Sequence, residues 1–389
     1  MRACRFIPFN RPWTDGSEIA EVTESIRSGW LTTGPKVRRF EDSVARLVGA
    51  RNAVAVNSCT AALHLSLAAA GIGPGDEVVT SPYTFAATGE AILYLGARPV
   101  FADIDPVTLN LDPEQVRRRI GRRTRALLPV HIAGLPCDMT ALRALARRHR
   151  LAIIDDAAHA LGSAIGRRSI GDGRLADMTC FSFYATKNLT TGEGGMVTCG
   201  DARTAERIRR LSLHGLSRDA WKRYARGGTW RYDIVELGFK YNLTDVAAGI
   251  GLAQLSKFRA MQRVRRRLAR EYTRLLKAEE AFELPAEVPG TTHAWHLYIL
   301  RMRPRVLRLD RAAFIEALRV RGIGTSVHFM PLHLFSFYRR TFGYRAGSHP
   351  HTERESARAI SLPLYPGLTR AEQGHVLDVL IDTARRYRR

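Results

Sequence analysis

From about residue 50 to residue 200, short apolar runs alternate with stretches of helical period. Ala53–Val56, Glu77–Ser81, Arg98–Ala102, Ala126–Pro129 and Leu151–Ile154 predict buried strands, and Thr60–Ala70, Phe85–Leu95, Pro113–Ile120 and Met139–Arg148 predict the helices between them. Thr179–Phe183 and Gly195–Cys199 add two more strands. Strands alternating with helices predict an α/β fold with a mixed, mostly parallel sheet between layers of helices. Ahead of this block, Ser17–Ser28 and Val37–Val48 predict helices separated by Gly29–Pro35. A long helix is expected from Thr244 to about Glu279, and its charge rises sharply after Gln254. That change predicts a passage between two domains: an N-terminal arm and large domain over 1–255, and a smaller C-terminal α+β domain over 256–389. The second is expected to hold strands at Trp295–Met302 and Gly324–His328 and helices at Arg311–Arg321 and Arg370–Arg385, with loops at 218–240 and 329–350.

A length of 389 residues exceeds one ordinary hydrophobic core, which agrees with two domains. No apolar stretch approaches the roughly 20 residues that span a bilayer, and Met1–Pro12 lacks the features of a secretory signal. Five scattered cysteines without a Cys-x-x-Cys pair read as reduced thiols of a cytoplasmic enzyme, with no metal site expected. The formal charge of +23 raises the alternative of a basic nucleic-acid-binding or regulatory protein, or of an anionic membrane surface as partner. Its clusters, such as Arg117–Arg119 and Arg265–Arg267, are dispersed along helix-like segments, so arginine replacing lysine on solvated faces is the simpler account. Neither nucleic acid nor membrane is therefore an expected partner. A positive field would still attract an anionic small substrate.

Lysine is scarce here, with six in a Lys+Arg total of 60, and one of the six, Lys187, follows the apolar run Cys180–Phe183 and precedes the turn Gly192–Gly195. Arginine stays protonated, whereas a desolvated lysine can lose its proton and attack a carbonyl. A lysine near the end of a core strand, five residues after Ser182, suits attachment of pyridoxal phosphate, although a lone lysine in a loop is more often a surface residue. Asn57–His64 follows a strand and opens a helix, so its N–H groups and the Thr60 hydroxyl suit a phosphate monoester; an ordinary Ser/Thr cap fits equally. Asp155-Asp156-Ala157-Ala158-His159 ends another strand with adjacent carboxylates. Strand alternation turns only one of them into a pocket, where it could keep a pyridine nitrogen protonated. Mg²⁺ binding or capping are the alternatives, and the three features together favour the cofactor.

The chain resembles the DegT/DnrJ/EryC1/StrS sugar aminotransferase family of fold-type I pyridoxal phosphate enzymes from Pro8-Phe9 to the final helix. Its markers are Ser28–Pro35, Asp155–His159, Phe181–Asn188, Gly192–Gly195, Tyr241–Asp245 and Ser361–Pro366. The resemblance implies that Lys187 is the Schiff-base lysine, Asp156 the partner of the pyridine nitrogen and His159 its neighbour at the ring. It further implies that Phe85 stacks on the ring and that Thr60, Ala61 and Ser182 contact the phosphate. Asn242 matches a residue that reaches the phosphate in the neighbouring subunit, which implies a homodimer. Lys187 argues against the branch in which histidine replaces the lysine and the activity becomes dehydration. Stretches such as His293–Leu297 and Arg321–Thr325 are most similar to the branch that makes UDP-4-amino-4-deoxy-L-arabinose, whereas Met330–Tyr338 is closer to the wider family. The expected reaction moves an amino group from L-glutamate to a nucleotide-linked keto-sugar, a UDP-4-keto sugar first and a 3-keto-sugar or cyclitol second. Thr32, Thr33, Gly34 and His328 are expected substrate contacts, His328 reading equally well as a strand-end histidine.

Overall fold

The computed structural model describes residues 6–217 and 232–389. Cys4 and most of the loop expected at 218–240 lie outside these residues. Helices α1 (Gly16–Ser28) and α2 (Pro35–Val48) precede β1 (Asn52–Val56). Then follow α3 (Cys59–Ala69), β2 (Glu77–Thr80), α4 (Ala86–Leu93), β3 (Arg98–Phe101), α5 (Pro113–Arg119), β4 (Thr124–Leu128), α6 (Met139–His149) and β5 (Ala152–Asp156). A small ribbon, β6 (Ala164–Ile165) and β7 (Arg168–Ser169), leads to β8 (Met178–Ser182), β9 (Gly195–Cys199) and α7 (Ala202–Leu211).

Seven of these strands form one sheet in the order β1-β9-β8-β5-β4-β2-β3. The run from β8 to β3 is parallel, and β9 alone lies antiparallel to both its neighbours. Every residue of β8 and β9 is buried, which is why these strands read as unbroken apolar runs. The expected α/β sheet is therefore present, with strand limits within a few residues of those the apolar runs predict.

The chain continues through α8 (Asp245–Leu276), β10 (Phe282–Glu283), β11 (Thr291–Thr292), β12 (Tyr298–Met302), α9 (Arg311–Val320), α10 (Ser336–Phe342), α11 (Pro350–Arg358), β13 (Ala359–Leu362) and α12 (Arg370–Arg386). A second sheet, β10-β12-β13, shares its own core with α9, α12 and the end of α8, through Leu268, Tyr272, Phe314, Leu362 and Leu380. The boundary expected at 255/256 falls inside α8, which is continuous across it.

Three expectations change. Gly324–His328 is not a strand: Ile323 bridges Ile7 and Ser326 bridges Ser361, and β13 takes the place beside β12. Trp295–Met302 becomes a strand only at Tyr298, because Trp295 has φ 50° and the backbone N–H groups of Ala294 and His296 bond to Gly134 and Ala133 instead. The loop expected at 329–350 contains α10 and a 3-10 turn at Leu332–Leu334, whose Leu332 and Tyr338 pack against Phe101.

Candidate active site

The parallel strands bring their C-terminal ends to one edge of the large sheet, where open α/β sheets bind ligands. Asp156 closes β5, Ser182 closes β8, and β1 runs directly into α3. Gly195, which opens β9, pairs with both Val56 and Ser182. A Cβ on Gly195 would stand 2.3 Å from the Ser58 carbonyl oxygen and 2.8 Å from the Cys59 nitrogen, so only glycine lets β9 lie against the start of α3. There Ser58 is the N-cap, its hydroxyl accepting from the Ala61 N–H at 3.1 Å. The capping alternative is thus realised. Cys59 and Thr60, one position nearer the helix start, keep N–H groups without an intrahelical acceptor, as the first turn requires.

Strand alternation separates the two carboxylates. Asp155 is buried on the side of His131, 3.4 Å from its Nε2. Asp156 points to the opposite face at the strand end, where the Thr88 hydroxyl donates to it at 2.7 Å and the Ala158 N–H at 3.1 Å. Thr84 lies 2.8 Å behind Thr88. Asp156 is only 6% exposed and has no ion pair with a described residue. Burial pushes its carboxyl up, against the pull of Thr88, Ala158 and Lys187. A buried carboxylate held by neutral donors suits a pyridinium nitrogen.

Lys187 sits in the turn after β8, its backbone N–H bonded to the Tyr184 carbonyl at 2.9 Å. The side chain is half-buried and makes no hydrogen bond or ion pair with a described residue. Desolvation lowers the pKa of its amine, while Cys59 and Asp156 oppose that shift. Buried His159 is held neutral first by desolvation, then by the charges of Lys187 and His328. Its ring lies 4.3 Å from that of His296 and stacks on Phe329 at 5.8 Å. His328 joins the same group: Nδ1 lies 2.8 Å from the Ser361 hydroxyl, and its carbonyl accepts from Tyr83. Phe85 caps α4 and remains 64% exposed, its ring 6.2 Å from Phe329.

The remaining expected residues stand elsewhere in the single chain. Thr33, Gly34 and Asn242 line a cavity of about 420 Å³ with Trp30, Arg38 and Arg209, and none of Lys187, Asp156 or His159 lines it. Asn242 Nδ2 donates to the Thr33 hydroxyl at 2.7 Å, Lys240 Nζ bonds its Oδ1, and the Thr32 carbonyl accepts from the Asp245 N–H. Thr84, Thr88, Asn188, His296 and Phe329 are members of the pocket that the residue patterns did not single out. Among the described residues no group of three or more His, Cys, Asp or Glu could hold a metal ion, and no helix is long and apolar enough to cross a membrane.

Comparison with known proteins identifies the family and the fold. The family model for DegT/DnrJ/EryC1/StrS aminotransferases matches residues 12–381. The chain is 46% identical over 378 residues to the spore coat polysaccharide biosynthesis protein SpsC of Bacillus subtilis, covering 97% of each. It is 48% identical over 375 residues to the uncharacterized protein MJ1066 of Methanocaldococcus jannaschii, covering 96% of each. Among solved structures, Spr1654 of Streptococcus pneumoniae, described as a sugar aminotransferase, superposes with a TM-score of 0.92 at 32% identity, over 98% of this chain and 99% of that one. Spr1654 has been solved in pyridoxal phosphate and pyridoxamine phosphate forms. The strand-end lysine, the unpaired carboxylate and the match over nearly all its length together place this chain in the DegT/DnrJ/EryC1/StrS aminotransferase family, on the fold of its pyridoxal phosphate-dependent members.

Proposed function

We propose that this protein is a pyridoxal phosphate-dependent aminotransferase that moves an amino group from L-glutamate to a nucleotide-linked keto-sugar, with a UDP-4-keto sugar as the first candidate. The observation that carries the reading is the desolvated amine of Lys187 and the buried carboxylate of Asp156, which act on each other electrostatically and have no ion pair with a described residue. The roles ascribed to its relatives, spore coat polysaccharide biosynthesis for SpsC and sugar aminotransfer for Spr1654, support a sugar acceptor. When bound, pyridoxal phosphate supplies an aldehyde that takes up the donor's amine and a ring that draws electron density from the reacting carbon.

The chain's own residues supply the rest. Lys187 would carry the cofactor and, once free, would move the proton between the donor's α-carbon and the cofactor's C4′, a task for an amine of lowered pKa. Asp156, oriented by Thr88 and Ala158, would keep a proton on the ring nitrogen. His159 would stand at the ring's phenolic oxygen and Phe85 over its face. Thr60, Ala61 and Ser182 would hold the phosphate, beside a β9 that Gly195 lets close on the helix start. Asn242 would complete the phosphate site of a second subunit, since in its own chain it lines a cavity to which Lys187 does not contribute; a homodimer is then the active unit. Thr32, Thr33, Gly34 and His328 would contact the substrate, in a cytoplasmic enzyme whose catalytic half ends near residue 255.

Lys187→Ala tests the reading. Turnover and the near-visible absorbance of the cofactor-saturated protein should both vanish, and steady-state transamination by the variant would refute it. A panel of keto-sugar nucleotides offered with glutamate, read by the mass of the aminated product, separates 4-keto from 3-keto acceptors.

A further inference from the structure

Asn188 and His296 stand directly behind His159 and have no part in the assignment above. Asn188 Nδ2 donates to the Ala294 carbonyl at 2.9 Å, which turns its Oδ1 toward His296 Nδ1, 3.0 Å away. An amide oxygen only accepts, so His296 carries its proton on Nδ1 and presents a lone pair at Nε2. Both side chains are buried.

The segment that carries His296 is fixed from two further sides. The Ala294 and His296 N–H groups donate to Gly134 and Ala133. Arg265 is 2% exposed, and its Nη1 reaches the carbonyls of Trp295 and His296 at 3.4 Å and of Leu364 at 2.8 Å. Asn188 directly follows Lys187, so one turn positions both the reactive amine and the clamp on His296.

We infer that Asn188 and His296 are a positioning pair that fixes the plane of His159 for its contact with the cofactor's phenolic oxygen. The inference rests on the cofactor assignment of Lys187 and His159. His296 lies against the His159 ring with a tilt of 35°, and Phe329 stacks on that ring at 13°, so the imidazole is set by rings; its Nδ1 has no hydrogen-bond partner among the described residues. Besides each other, the titratable groups facing the two imidazoles are Lys187, His328 and Arg265, all cationic when charged. Protonation of either ring would add a like charge to that set. The neutral amide of Asn188 holds His296 without favouring its charged form, which a carboxylate in the same place would do.

The test uses the cofactor-loaded enzyme in the glutamate half-reaction. Asn188→Asp keeps the shape and puts a carboxylate against His296 Nδ1. The acid limb of its pH–rate profile should move up by about one unit or more, with the near-visible absorbance retained at high pH. His296→Phe keeps a ring beside His159 and removes the bond to Asn188. Its kcat should fall about tenfold or more through lost orientation, with KM for glutamate changed much less. A parental acid limb in Asn188→Asp overturns the inference, and that near-isosteric variant decides alone should His296→Phe fail to fold. Absence of a borohydride-reducible adduct in the parent enzyme would overturn the cofactor assignment instead, a distinct outcome.

Discussion

The side chain of Thr88 decides how Asp156 is presented. Its hydroxyl donates to the carboxylate at 2.7 Å and is itself paired with Thr84. Thr88→Val keeps the volume and deletes the donor. A hydrogen bond to a buried charged group contributes about 1.5–3 kcal/mol, so cofactor retention, followed by spectrophotometric titration, should weaken roughly 10- to 100-fold. Unchanged affinity would mean that Ala158 alone orients the carboxylate. Lys187, Asp156 and His159 stand out as candidates in the sequence because the features that mark them are local: a residue type, a strand end and a spacing. Thr88 and His296 do not, because their parts depend on partners 68 and 108 residues away in the chain. Nothing in the neighbourhood of either residue records that contact.

Among the elements, α2 is set by a residue of another helix. Asp245, 1% exposed at the start of α8, accepts from the N–H groups of Gly34 at 2.8 Å, Lys36 at 3.0 Å and Val37 at 2.9 Å. Those of Lys36 and Val37 are first-turn donors that Gly34, as N-cap, cannot satisfy with a side chain. Loss of an ordinary cap costs about 0.5–2 kcal/mol. Asp245→Ala removes three buried acceptor contacts, so a loss at or above the top of that range is expected in urea unfolding. A loss below half a kcal/mol would show that water replaces the carboxylate (the low end of the ordinary cap range, roughly). The same pattern of legibility holds here. Strands β8 and β9 were readable because both their faces are covered, and α8 because its period persists over 32 residues. Short α10 offers too few turns for a period to emerge among its aromatic and basic residues, and Gly324–His328, with Val327 as its one strongly apolar residue, makes only the isolated bridge from Ser326 to Ser361.

Across the whole molecule, two desolvated histidines, His349 and His328, contribute to the acid dependence of stability. Desolvation, reinforced by His333, lowers the pKa of His349 to about 4, and desolvation with Lys187 does the same to His328. Unfolded, each would titrate near its ordinary 6.5. Between those limits the unfolded chain binds more protons than the folded one, so stability falls as pH drops from 6.5 towards 4 and is insensitive to these groups above that window. The thermal midpoint should decline through this interval; a flat profile there would show both imidazoles to be solvated. A second consequence belongs to α8. Ala248, Phe258 and Met261 belong to the core beside the large sheet, and Leu268, Tyr272 and Leu276 to the core of the small one. One unbroken girder thus has each end embedded in a different apolar mass, and neither mass can melt without stripping half of the girder's support. Scanning calorimetry should record a single endotherm for the chain, and two resolved peaks would show that the girder snaps in the middle.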